Sequence, residues 1–208
     1  MPAKRSYHHG ELRAALIQAS FDLLAESGLQ RFSVAAVARR LAVSTAAPYR
    51  HFPDRAHLLG AVSTTAAHDL RAAIAEAAGA AGENPAERLA AVAGAYVRYV
   101  TRTGAGFHVI FAAELYQLHD EARREQTSAL MTTLIDLATA AGRAYREAVP
   151  LVEATIAIGH GYASLYADGF FARKDATVDE IANRAVDAAR TLISDWPRPG
   201  APAGRRPA

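Results

Sequence analysis

The sequence predicts an all-α fold of about nine helices, and three observations carry the prediction. Apolar residues recur at i, i+3, i+4 and i+7 along nearly the whole chain. Serine, threonine, asparagine and aspartate stand where these stripes begin, and glycine or proline stands at the breaks between them. No stretch alternates with the period of two that a half-buried strand requires. With 208 residues, 51% of them hydrophobic, the chain can bury a substantial core in one domain or two small ones.

Leu12, Leu16, Ala19 and Leu23 line the apolar face of a first helix that Gly28 stops. Ser33 caps a second, in which Val34, Val37, Ala38 and Leu41 face inward, and Leu41-Ala42-Val43 closes it. Ser44 is placed to cap a third, Thr45 to about His51, which Phe52-Pro53-Asp54 ends. Pro48 lacks an N–H, so this helix is expected to be short and irregular near Ser44. Asp54 caps a fourth, with Leu58, Val62, Ala66, Leu70 and Ile74 continuing to about Ala78.

Gly79 to Gly82 breaks the pattern, and Asn84-Pro85-Ala86-Glu87 restarts it with a cap, a first-turn proline and a glutamate three residues on. Leu89, Val92, Tyr96 and Val100 give that helix its buried face. After Gly104-Ala105-Gly106, the residues Phe107, Phe111 and Leu115 suggest a short helix before a long one from about Asp120 to Glu147. Pro150 opens the next, running through Ile156, Gly159 and Ala163 to about Phe171. Thr177-Val178-Asp179-Glu180 is a capping box for a last helix ending near Trp196. From Pro197 the chain is proline, glycine and arginine without periodicity, which reads as a disordered tail.

Two short helices on either side of a three-residue turn, as in residues 32–52, must cross steeply. The first then braces the second against a DNA backbone while the second enters the major groove. Charge lies where this motif lies: residues 1–60 carry a net +4 and residues 61–197 a net −5, with Arg198, Arg205 and Arg206 restoring the overall +2. A basic head beside an acidic body suits phosphate binding by the head alone. Lys4, Arg5, His8 and His9 precede the first helix, either as an arm toward phosphates or a minor groove or as a disordered terminus. No third ligand stands near His8 and His9, so a metal is not expected.

There is no cysteine, and the N-terminus has no apolar run of the kind a signal peptide or membrane anchor needs. A cytoplasmic protein without membrane partners is expected. HExxH, GxSxG and phosphate-loop motifs are missing, so no catalytic residue, cofactor or metal is expected. The rival readings are an all-helical enzyme and a protein-interaction module, each using an aromatic cavity in the body.

Val43, Ser44, Tyr49, His51 and Phe52, followed by Pro53-Asp54-Arg55 and preceded by a helix ending in Gly28, resemble the TetR family of bacterial regulators over about residues 7 to 62. The resemblance implies an all-helical dimer with an N-terminal helix-turn-helix and a larger ligand domain. Most such proteins repress and release DNA when a small molecule binds. Carried over by position, it implies that Ser33, Ser44, Thr45, Tyr49, His51 and Arg55 approach DNA, chiefly phosphates, with Thr45 and Ala46 nearest the bases. Arg50, Lys4 and Arg5 complete the candidate DNA-binding set. Two residues depart from the family pattern: Thr45 stands where many relatives carry lysine or arginine, and Pro48 where an aliphatic residue is common. With few long polar side chains there, thymine-methyl contacts and DNA shape are expected to share the discrimination. The expected division is 1–53 for the head, 54–196 for the ligand-binding and dimerisation body and 197–208 for the tail.

Ten of the sixteen aromatic residues fall between Tyr96 and Phe171. Tyrosines supply both apolar surface and a polar tip, which suits a pocket for a small-molecule effector. The candidate lining is Tyr96, Phe107, Phe111, Tyr116, Tyr145, His160, Tyr162 and Tyr166. Gly159 and Gly161 flank His160 inside a helical pattern, where each glycine costs about 1 kcal/mol relative to alanine. Either close helix packing or room for a ligand beside His160 offsets that. The resemblance further implies that the last two long helices form the interface of a homodimer, with Ala163, Ala182, Ala185, Ala189 and Leu192 compatible with it. Such a dimer sets its heads about one DNA turn, roughly 34 Å, apart on a near-palindromic operator.

Overall fold

The computed structural model describes residues 9–172 and 175–196; Lys4, Arg5, His8 and the tail from Pro197 lie outside them. Among the described residues there are eight α-helices and no strand: α1 His9–Ser27, α2 Val34–Arg40, α3 Arg55–Ala80, α4 Pro85–Thr103, α5 Phe107–Ile110, α6 Glu121–Ala140, α7 Tyr145–Ala167 and α8 Val178–Asp195. Three single 3-10 turns, Leu29–Arg31, Pro48–Arg50 and Ala113–Leu115, complete the set.

Side-chain caps start five of these helices, four of them at the caps expected from the sequence, with Asp120 the fifth, while the expected cap Ser44 starts no α-helix. Ser33 Oγ accepts from the Ala36 N–H, Asp54 from His57, Asn84 from Ala86 and Asp120 from Arg123. Thr177 and Glu180 form the reciprocal capping box. α4 is the axis of the body: α3, α6, α7 and α8 all pack on it, and its C-terminal end meets α1 of the head. Leu89, Ala93, Tyr96 and Val97 of α4 are wholly buried in that core.

Three expectations need correction. The third helix is not an α-helix: Ala47 N–H bonds to Ser44 O, and Pro48–Arg50 is a single 3-10 turn. Pro48 is itself buried and has no N–H to offer Ser44 O, so the segment closes through i to i+3 bonds instead. The long helix ends at Ala140 rather than Glu147, with Gly142 at φ +81° in the break, and α7 begins at Tyr145. Pro150 therefore lies inside α7, where it forgoes one ladder bond. Finally, Ala182, Ala185 and Ala189 are fully buried and Ala163 nearly so, packed within one chain rather than facing out. The outward apolar positions of α7 include Ala157, Ala167 and Leu165, the last of them 41% exposed.

Ala42 turns the chain between α2 and residues 44–52 at φ +54°, in the left-handed region. That conformation costs a residue with a Cβ about 1–2 kcal/mol, more than the backbone entropy glycine loses. Ala42 is exposed, so no packing is at stake. Ala42→Gly is expected to raise stability by about 0.5 kcal/mol or more, read from denaturant unfolding.

Candidate DNA interface and effector cleft

Residues 44–52 present one open strip: Ser44, Thr45, Ala46, Tyr49 and Arg50 are exposed, Tyr49 by 53%. Pro48 and Phe52 are buried beneath it and hold it to the head. Arg13 stacks on the outer side of Phe52, its guanidinium carbon 5.2 Å from the ring centre. Ser33 is half-buried as the α2 cap and His51 is half-buried at the end of the 3-10 turn.

The head divides its arginines into braces and free cations. Arg40 bonds Glu26 through Nη1 at 2.7 Å and lies 3.4 Å from Asp22, tying α2 to α1. The bond from Arg40 holds the Glu26 carboxyl below the usual carboxylate range. Arg31, Arg39 and Arg50 are exposed and form no ion pair among the described residues. Arg55 is turned inward instead. Its Nε donates to Phe32 O at 3.1 Å, Nη2 to Leu29 O at 3.2 Å and Nη1 to Glu114, while the guanidinium stacks over Phe32. One side chain thus joins the loop between α1 and α2 to Glu114 in the 3-10 turn after α5.

In the body, a cleft of about 320 Å³ lies between α4, α5, α6 and α7. Tyr96, Phe107, Met131, Val152, Ile156 and Ala157 supply its apolar walls, and His108, Glu153 and His160 its polar groups. Phe107 N–H donates to Tyr96 Oη at 3.1 Å, and Tyr96 Oη lies 3.2 Å from His160 Nδ1. Burial pushes the Tyr96 phenol up from its usual pKa. Burial, and then the charge of His160, hold His108 below its ordinary 6.5; the two rings are 5.7 Å apart.

Of the residues named from sequence, Tyr96, Phe107 and His160 meet in this cleft. Phe111 stands behind Phe107, edge to face at 5.1 Å. Tyr162 stacks on Phe171 away from the cleft, and Tyr166, partly buried against the core, is not in the lining. Tyr116 and Tyr145 are 69% and 70% exposed, and neither reaches the cleft. Gly159 is explained by packing: a Cβ there would sit 3.0 Å from Ala93 O and 3.2 Å from Tyr96, whereas Gly161 has open space.

Glu153, Ile156, Ala157 and His160 were findable, because they repeat at i, i+3, i+4 and i+7 on α7. Met131 comes from α6 and carried no local signal. No helix of the described residues is long and apolar enough to cross a membrane.

Residues 16–62 match the family described as bacterial regulatory proteins, tetR family, and residues 89–189 match the tetracyclin repressor-like C-terminal domain. Among solved structures, a protein with unknown function from Rhodococcus sp. RHA1 is 29% identical with a TM-score of 0.67, covering 90% of this chain and 98% of its own. A transcriptional regulator from the same source is 24% identical with a TM-score of 0.60, over 87% and 95% of the two chains. A possible TetR family transcriptional regulator from Streptomyces coelicolor A3(2) is 21% identical with a TM-score of 0.59, over 88% and 97%. No curated protein matches the chain.

Proposed function

Since the chain belongs to the TetR family of transcriptional regulators, we propose that it is a cytoplasmic homodimeric repressor that leaves a near-palindromic operator when a small apolar molecule enters the α4–α7 cleft. The observation that carries this reading is the exposed strip Ser44 to Arg50, backed by a buried proline and phenylalanine on a head joined to a cleft-bearing body. Its hydroxyls, tyrosine and arginine suit phosphate and sugar contacts, and Thr45 and Ala46 offer methyl groups to thymine.

The 26-residue α3 begins beside the head at Arg55 and packs on α4 and α6 of the body, so a change in body packing reaches the head through one continuous element. A ligand that binds better when the heads are spaced wrongly for one DNA face lowers operator affinity by that difference. Dimerisation through the outer faces of α7 and α8, where Leu165 is exposed, supplies the second head.

Operator fragments selected from sheared genomic DNA provide the probe. Replacing both Tyr49 and Arg50 with alanine is expected to weaken binding about a hundredfold, near 2.7 kcal/mol, with unchanged helicity. The salt slope is expected to fall by about one for the lost cation. Wild-type affinity in this variant, measured by fluorescence anisotropy, excludes the strip as the interface.

A further inference from the structure

The cleft and the head are joined by a second path besides α3, and it runs through the short segment between α4 and α6. Phe107 and His108, the first two residues of α5, line the cleft. The Phe107 N–H is held at 3.1 Å by the hydroxyl of wholly buried Tyr96, which also stands in the cleft wall beside His160. The start of α5 is thus fixed by a side chain that forms part of the cleft.

From there the segment is packed down to the head. Val109, Ile110 and Leu115 are wholly buried, and both α5 and the 3-10 turn Ala113–Leu115 lie on α3. Ile110 O accepts from Ser63 Oγ of α3 at 2.8 Å, a bond closed off from water, and Arg123 Nη2 of α6 lies 3.5 Å from the same carbonyl. Interiors packed this closely transmit a displacement rather than absorb it. At the far end Glu114 pairs with Arg55, which donates to Leu29 O and Phe32 O in the loop that leads into α2.

The last contact has the chemistry of a switch. The two side chains are 35% and 37% exposed, so the pair is weak enough to break, and water takes up each charge when it does. The guanidinium is a rigid planar fork, with Nη1 on Glu114 and with Nε and Nη2 on the two carbonyls. Turning one donor away from Glu114 turns the other two as well.

We propose that Glu114 is the residue that couples the cleft to the head. An occupant of the cleft shifts α5, the shift withdraws Glu114 from Arg55, and the loop before α2 loses the geometry that seats the strip Ser44 to Arg50 on DNA. Glu114 belongs neither to the cleft lining nor to the strip, and acts through Arg55 as a positioning residue. This rests on the reading of the α4–α7 cleft as the effector site and adds a path beside α3.

A double-mutant cycle on the full chain tests it, with operator fragments selected from sheared genomic DNA and affinity read by fluorescence anisotropy. Tyr96→Phe frees the start of α5, and Glu114→Gln breaks the contact with Arg55. Each is expected to weaken operator binding about fivefold, near 1 kcal/mol, the most a half-exposed ion pair supplies. The double variant is expected to bind no more weakly than the singles, because both cut one path; independent losses multiply to about twenty-fivefold. Amide exchange at residues 28–33 is expected to quicken in both single variants, which a role of Tyr96 confined to body packing does not produce. Wild-type operator affinity in Glu114→Gln, unchanged exchange at residues 28–33, or a multiplied loss in the double variant overturns the coupling role and leaves the cleft reading intact. Wild-type affinity in Tyr96→Phe overturns both, since the cleft wall then has no hold on the head.

Discussion

Gly104→Ala is expected to lower stability by about 3 kcal/mol, equivalent to roughly 6–12 °C in Tm for a chain of this size. Gly104 caps α4 at φ +65°, where a Cβ costs about 1–2 kcal/mol whatever surrounds it. The surroundings add to this. An added Cβ would overlap the backbone of Leu24 and Ala25 in α1, and backbone, unlike the end of a side chain, cannot swing away. The remaining route is to part α1 from the end of α4, where head meets body. Gly82 is the internal comparison, since its φ is +83° but nothing lies within 4 Å of a Cβ built there. Gly82→Ala is expected to lose only the conformational part, about 1 kcal/mol. Equal losses in the two variants, by denaturant unfolding, would show that the α1 contact contributes nothing.

Arg55→Ala is expected to cost about 2–3 kcal/mol and to weaken operator binding through the head's geometry rather than through a lost phosphate contact. Two carbonyls, Leu29 O and Phe32 O, lose a charged donor, and Phe32 loses the guanidinium over its ring. Arg55→Lys is expected to recover little, because one ammonium cannot reproduce a planar fork that reaches both carbonyls and Glu114. Glu114→Gln removes only the half-exposed ion pair and is expected to change stability by less than about 1 kcal/mol. Salt dependence separates the two roles of Arg55. A phosphate ligand, when removed, lowers the salt slope by about one, whereas loss of a brace lowers Tm and leaves the slope alone. A reduced slope at unchanged Tm would return Arg55 to the DNA surface where the family resemblance puts it.

These two residues mark how far the sequence could be read. Gly104 was legible as a helix stop, because a left-handed cap is a property of its own backbone. Its contact with Leu24 and Ala25 was not, because those residues lie on a different helix. Arg55 was legible as part of the head motif, but its direction was not, since three of its partners are Leu29, Phe32 and Glu114. The same divide runs through the cleft. The α7 face of Glu153, Ile156 and His160 is written in helical spacing, whereas Met131 joins it only because α6 packs nearby. Only composition points to Tyr116 and Tyr145 as cleft residues, and composition does not say which way a tyrosine points.

The amino-acid order by itself determined the all-helical class, four of the five side-chain caps, most breaks between helices and the head motif with its basic balance. Each depends on interactions within about four residues or on charge summed along the chain. Tertiary packing alone decided the inward turn of Arg55, the burial of Ala182, Ala185 and Ala189 beneath neighbouring helices, and the meeting of Tyr96, Met131 and His160 in one cleft. The physical reason is range. A cap or a periodic stripe is satisfied by its own neighbours, but a side chain's destination is chosen by whichever distant helix leaves it room and a partner.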